Sequence, residues 1–135
     1  MKKTYFKKAL GIVLLLVVMF TALSSTVSAR YKYIDIIGAS LSINSSGLAS
    51  CGGYVMPSDS NTNSTVTVEL QRKSGNSWTS EYSWSGSSTG TWTAAASGTR
   101  YVVRGTYRVV TTAKVYSSSG SLLETQSVTS SEVTY

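Results

Sequence analysis

The chain has 135 residues, with 12 Lys and Arg against six Asp and Glu, no His, one Cys and a formal charge of +6. Without histidine it lacks the commonest general base and the commonest metal ligand. A single cysteine rules out a disulfide within the chain.

The N-terminus reads as an export address. Lys2, Lys3, Lys7 and Lys8 form a basic region, Ala9 to Leu23 is an uncharged apolar run of 15 residues, and Ser24 to Ala29 is a small polar tail. Val27 and Ala29 stand where a signal peptidase reads small residues. Residues 1–29 are therefore expected to be a cleavable signal peptide. A membrane span needs about 20 apolar residues, so an uncleaved anchor is the weaker alternative. Cleavage leaves a domain of 106 residues, 30–135, with eight basic and six acidic groups and a net charge of +2. The basic excess that would suggest nucleic acid leaves with the signal. A secreted, extracellular protein is expected, touching membrane only through the uncleaved signal. Leu, Ile and Val make up just 19 of those 106 residues, while eight Tyr and three Trp supply other apolar area. A folded domain with a thin core follows.

No stretch of the mature chain has a helical apolar period; alternation of period 2 recurs instead. Tyr33–Ile37 and Ala39–Ile43 read as one strand broken near Gly38, and Leu48–Met56 as a second. Pro57–Ser64 has turn chemistry at nearly every position. Thr65–Arg72 is the clearest strand, with Val66, Val68 and Leu70 on one face. Ser74-Gly75-Asn76 is a hairpin turn. Trp78–Trp84 returns, with Trp78, Tyr82 and Trp84 placed on one face by their spacing. Gly86–Gly90 reads as a loop, Thr91–Ala96 as a short strand and Ser97–Arg104 as a crossover. Gly105–Tyr116 alternates Tyr107, Val109, Thr111, Ala113 and Val115 against Arg108, Val110, Thr112, Lys114 and Tyr116. Ser118-Ser119-Gly120 turns into a last strand, Ser121–Val128. About seven short strands with turns between them predict an all-β antiparallel sandwich, with a small barrel as the other possibility.

Chemistry-bearing residues are sparse. The acids are Asp35, Asp59, Glu69, Glu81, Glu124 and Glu132. A glycosidase needs two carboxylates facing across a cleft. Glu69 and Glu81 are the pair a hairpin can bring together, but solvated strand faces account for all six. Cys51, between Ala49 and Gly53, reads as a buried structural thiol with no histidine to activate it; a disulfide-linked dimer is the alternative. Trp78, Tyr82, Trp84 and Trp92 serve either as a sugar-stacking platform or as core bulk. The thin core favours burial, with Trp84 structural and Trp78, next to the hairpin turn, the most exposed. Arg108, Lys114 and Tyr116 share one strand face and, with Trp78, form the candidate binding surface; a solvated ladder is the plainer reading. No cofactor-binding, metal-binding or catalytic residues are indicated. Asn44-Ser45-Ser46 and Asn63-Ser64-Thr65 match the N-glycosylation pattern, which matters only in a host that glycosylates.

Two stretches carry a resemblance. Leu70-Gln71-Arg72-Lys73-Ser74-Gly75 followed by Trp78 and Trp84-Ser85-Gly86, together with Gly105-Thr106-Tyr107-Arg108-Val109, resemble small exported single-domain proteins of Gram-positive bacteria, over roughly residues 39–128. The second stretch also resembles the immunoglobulin-like strand that bears a tyrosine corner, which implies a structural role for Tyr107. Val109 stands where antibody domains place a cysteine, so their disulfide has no counterpart. The functions expected are a monomeric, non-catalytic binding module for a surface glycan or protein or, in another class, a secreted antagonist of other cells.

Overall fold

The computed structural model describes residues 31–135; the signal-peptide reading falls on residues 1–29, outside the described residues. Eight strands follow in order: β1 (Ile34–Ile43), β2 (Leu48–Pro57), β3 (Thr62–Ser74), β4 (Ser77–Thr89), β5 (Ala94–Tyr101), β6 (Thr106–Ser117), β7 (Leu122–Thr129) and the two-residue β8 (Val133–Thr134). They form two antiparallel sheets. The smaller runs β1-β2-β5; the larger runs β4-β3-β6-β7, with β8 also paired to β6. No helix occurs among the described residues. The all-β expectation therefore stands.

The alternating pattern of β3 and β6 explains the layering. Val66, Val68 and Leu70 of β3 and Tyr107, Val109, Ala113 and Val115 of β6 are buried, as are Ala49, Cys51 and Val55 of β2 and Ala94 and Ala96 of β5. Each strand gives one face to the core and one to water. Most of these side chains are small, so the sheets approach closely. A methyl group on Gly53 would overlap Thr111 and Val68 of the opposite sheet, and one on Gly98 would overlap the Trp84 indole.

The β3–β4 turn is Gly75-Asn76. Gly75 has φ 61° and Asn76 has none of the positive φ a mirror-image type I turn needs, which is the type II′ pattern that suits strand twist. Beyond it β4 is bulged. Gln71 pairs Ser80 and Leu70 pairs Tyr82, which leaves Glu81 as the extra residue. A bulge shifts the alternation by one. Trp78, opposite Lys73, thus lies on the outer face, while Tyr82 and Trp84, opposite the buried Leu70 and Val68, lie on the inner one. The single-face placement of these three aromatics is corrected here.

Three further expectations are corrected. β1 is continuous through Gly38, whose Cα lies under the Tyr54 ring of the neighbouring strand. β4 runs on through Gly86 to Thr89. β5 includes Ser97 to Tyr101, which pair with β2. Glycine in these strands marks close approach rather than a turn: the backbone of Ala95 packs on Gly86.

Candidate binding site at one end of the sandwich

Three connections meet at one end: β2–β3, β4–β5 and β6–β7. Each is fixed by local hydrogen bonds. The Asp59 carboxylate accepts the Asn61 N–H at 2.8 Å, and the Thr62 hydroxyl donates to the Asp59 carbonyl at 2.7 Å. Gly90, at φ 63°, turns the chain out of β4 and donates its N–H to the Thr62 carbonyl at 2.7 Å. The Ser88 hydroxyl holds the Trp92 carbonyl at 2.7 Å. Gly120 donates to the Ser117 carbonyl at 2.9 Å.

These bonds fix the Trp92 backbone and leave its ring in solvent, 78% exposed. The indole borders an open cleft of about 430 Å³ whose other walls include Ser60 and Asn61, Asn63, Thr91 and Ser118, drawn from all three loops and β3. A second hollow shares Asn63 and Trp92 and continues onto Thr65 and Ser87 of the large sheet. No charged side chain lines either. A flat ring edged by amides and hydroxyls can stack on the C–H face of a sugar and bond its hydroxyls. Nothing along these walls is suited to proton transfer.

The anticipated surface divides in two. Arg108 lies over Trp78, with its guanidinium carbon 4.2 Å from the ring centroid, and its Nε donates to Gln71 Oε1 at 2.7 Å. The Lys73 ammonium sits 5.9 Å from the same ring. Lys114 and Tyr116 share this outer face but pair with Thr65 and Asn63, at the cleft end of the sheet. Six to eight residues of β6 separate them from Arg108, roughly 20–26 Å.

Burial of the aromatic set holds only in part, with Trp84 packed against the core. Trp78 and Trp84 are half-buried, Tyr82 is exposed at 44% beneath the Arg100 guanidinium, and Trp92 is more exposed than Trp78. Tyr82 and Trp84 meet edge to face at 4.9 Å. Reading Trp92 into a strand hid it. The available signal was its place two residues after Gly90, in a run rich in turn formers.

The remaining candidates line neither hollow. Cys51 is buried and unpaired, and burial pushes its thiol up to about 11. The Tyr107 hydroxyl donates to the Val103 carbonyl at 2.8 Å, with the ring 1% exposed. Glu124 accepts the Tyr33 N–H at 2.7 Å and the Lys32 N–H at 3.2 Å, so this carboxylate fastens the start of the domain to β7. Glu69 pairs Ser83 in register while Glu81 occupies the bulge and shares a shallow cleft with Arg72 and Lys73. No cluster of metal-ligating side chains occurs among the described residues. No protein-family model matches the chain, and no curated protein matches it.

Proposed function

We propose that the chain is an exported, non-catalytic binding module with an immunoglobulin-like sandwich, and that the cleft at Trp92 receives an uncharged sugar of a cell-surface polymer. The observation that carries this reading is the exposed indole held over an uncharged, amide- and hydroxyl-lined cleft. The sheet orders β1-β2-β5 and β4-β3-β6-β7 support the immunoglobulin-like part. Against the constant-type arrangement only the fourth strand has changed sheets. The Tyr107–Val103 bond has the form of a tyrosine corner, four residues back along the chain. The loops that build the cleft follow the second, fourth and sixth strands, the end that variable domains use for recognition. A glycan also suits a secreted domain that acts as a monomer, because stacking needs little buried area.

The test is retention of the purified protein on insoluble neutral glucan, chitin and peptidoglycan. Binding to at least one is expected, with Trp92→Ala weakening it about tenfold, the scale of a lost aromatic contact of roughly 1–2 kcal/mol. Failure to bind all three, or binding that Trp92→Ala leaves intact, overturns the assignment.

A further inference from the structure

The outer face of the large sheet is not evenly charged. It carries Lys73, Arg108 and Lys114 against one acid, Glu69. That acid is already engaged by the side-chain amide of Gln71. Between the ends of the face run hydroxyls: Thr67 of β3 lies between Ser85 of β4 and Thr112 of β6, which bonds Ser127 of β7 at 3.0 Å. The cleft at Trp92 borders one end, through Asn63. The Trp78 cluster forms the other, ten residues along β3, roughly 30 Å away.

Arg108 is held twice, by the Trp78 ring under its plane and by Gln71 at Nε. Its terminal nitrogens are left as a pre-set fork, the geometry that suits an oxyanion. Lys73 approaches the same ring. Two cations on one indole jointly attract an anion bound beside them.

We infer that Arg108 and Lys73, gathered over Trp78, form an anion-binding site for a phosphodiester or carboxylate group carried by a surface polymer. The inference rests on the glycan reading above and extends it: the ligand is a charged polymer long enough to run from the Trp92 cleft along the hydroxyl-lined face to the cationic end. Charge complementarity selects this occupant, since Lys73, Arg108 and Lys114 against Glu69 leave the face an excess of two positive charges. Arg108 and Lys73 give the anionic group its bonds, and Trp78 fixes their positions.

The experiment measures binding of the purified protein to three soluble polymers: poly(glycerol phosphate), polygalacturonate and a neutral glucan. At low salt, one of the two anionic polymers is expected to bind at least tenfold more tightly than the glucan, and which one identifies the oxyanion. Raising the salt concentration should erase that advantage. Arg108→Ala and Lys73→Gln are each expected to weaken the anionic polymer about tenfold, the scale of a charge-assisted bond, and to leave the glucan unchanged. Lys73 is exposed, so its variant keeps the test valid if Arg108→Ala disturbs folding. Arg108→Lys keeps the charge but loses the fork, and should recover only part of the affinity. Equal affinity for all three polymers, or anionic binding that neither variant weakens, overturns the site while leaving the Trp92 reading standing. Loss of glucan and anionic binding together in Trp92→Ala supports one continuous track. No binding to any of the three overturns the anion site, and the Trp92 reading then stands or falls on chitin and peptidoglycan.

Discussion

Tyr107→Phe tests how the chain crosses from the small sheet to the large one. The substitution removes one oxygen and keeps the ring, so the core gains no cavity. The lost bond is 2.8 Å long, from the phenol to the Val103 carbonyl. The ring end of that bond is sealed, with Tyr107 1% exposed, but Val103 is 63% exposed, so water can take over its carbonyl. The cost is then the net value of one hydrogen bond, about 1 kcal/mol, and not the larger penalty for an orphaned buried group. With a urea slope of about 2 kcal/mol/M for a small domain, the unfolding midpoint should fall by about 0.5 M with the slope unchanged. The melting temperature should fall by about 4–8 °C.

Tryptophan emission during urea unfolding measures this directly. The same pair of proteins has a distinct signature in alkali. Burial raises the Tyr107 pKa above 10.0 and Glu81 adds to the rise, against opposing effects of Arg72 and the Val103 bond. In the unfolded chain the phenol releases its proton near pH 10; in the folded chain it keeps it. The unfolded state then binds fewer protons, so this contribution to stability is complete below pH 10 and is lost as the pH rises beyond it. The gap between parent and Tyr107→Phe should therefore narrow above pH 10. A variant that unfolds at the parent midpoint, or a gap that widens in alkali, refutes the reasoning.

Two other perturbations address the core. Thr111 is fully buried and its hydroxyl has no hydrogen-bond partner among the described residues. Thr111→Val should raise stability by about 1 kcal/mol in urea unfolding, while Thr111→Ser, which keeps the hydroxyl and loses a methyl, should lower it; the reverse order means that the hydroxyl is bonded. Cys51, with its pKa raised from 9.0 to about 11, loses its proton in the unfolded chain first, so stability should fall between pH 9 and 11, by at most about 3 kcal/mol. Cys51→Ala should remove that part of the alkaline loss, and the native thiol should resist a disulfide reagent at pH 8 until denaturant is added. Rapid labelling of the folded protein contradicts the buried position.

What the chain reveals locally and what it hides differ for physical reasons. The Gly75 turn and the alternation of Val66, Val68 and Leu70 depend on neighbours in sequence, and they stand where the pattern puts them. The bulge at Glu81 does not: Trp78, Tyr82 and Trp84 keep an even spacing in sequence, and only pairing with β3 shows that Glu81 is extra. Gly86 and Gly98 look like turn formers, yet each is needed because something from the other sheet rests on it, Ala95 in one case and Trp84 in the other. For the site, the pairing of Trp78 with Arg108 is legible from the shared outer face once the bulge is known. The Trp92 cleft is not, because its walls come from three loops and one strand end that are distant in sequence.

The three tryptophans then stand in different energetic positions. Trp84 rests against Gly98 across the sheets, and Trp78 lies beneath Arg108. Trp92 is 78% exposed. A tryptophan offers about 200 Å² of largely apolar area, so leaving most of one in water forgoes roughly 4 kcal/mol of burial. That is a large sum for a domain whose core consists mainly of valine and alanine, and whose total stability is expected to be about 5–15 kcal/mol. The loop backbone is bonded at the Trp92 carbonyl, and at Gly90 just before it, so the exposure is held in place by the fold rather than arising from a loose segment. An uncovered indole on a bonded loop backbone, beside uncharged hydrogen-bonding groups, is costly as structure. A ligand that covers it recovers that burial, and the sugar ring proposed above has the apolar face and the hydroxyls to do so.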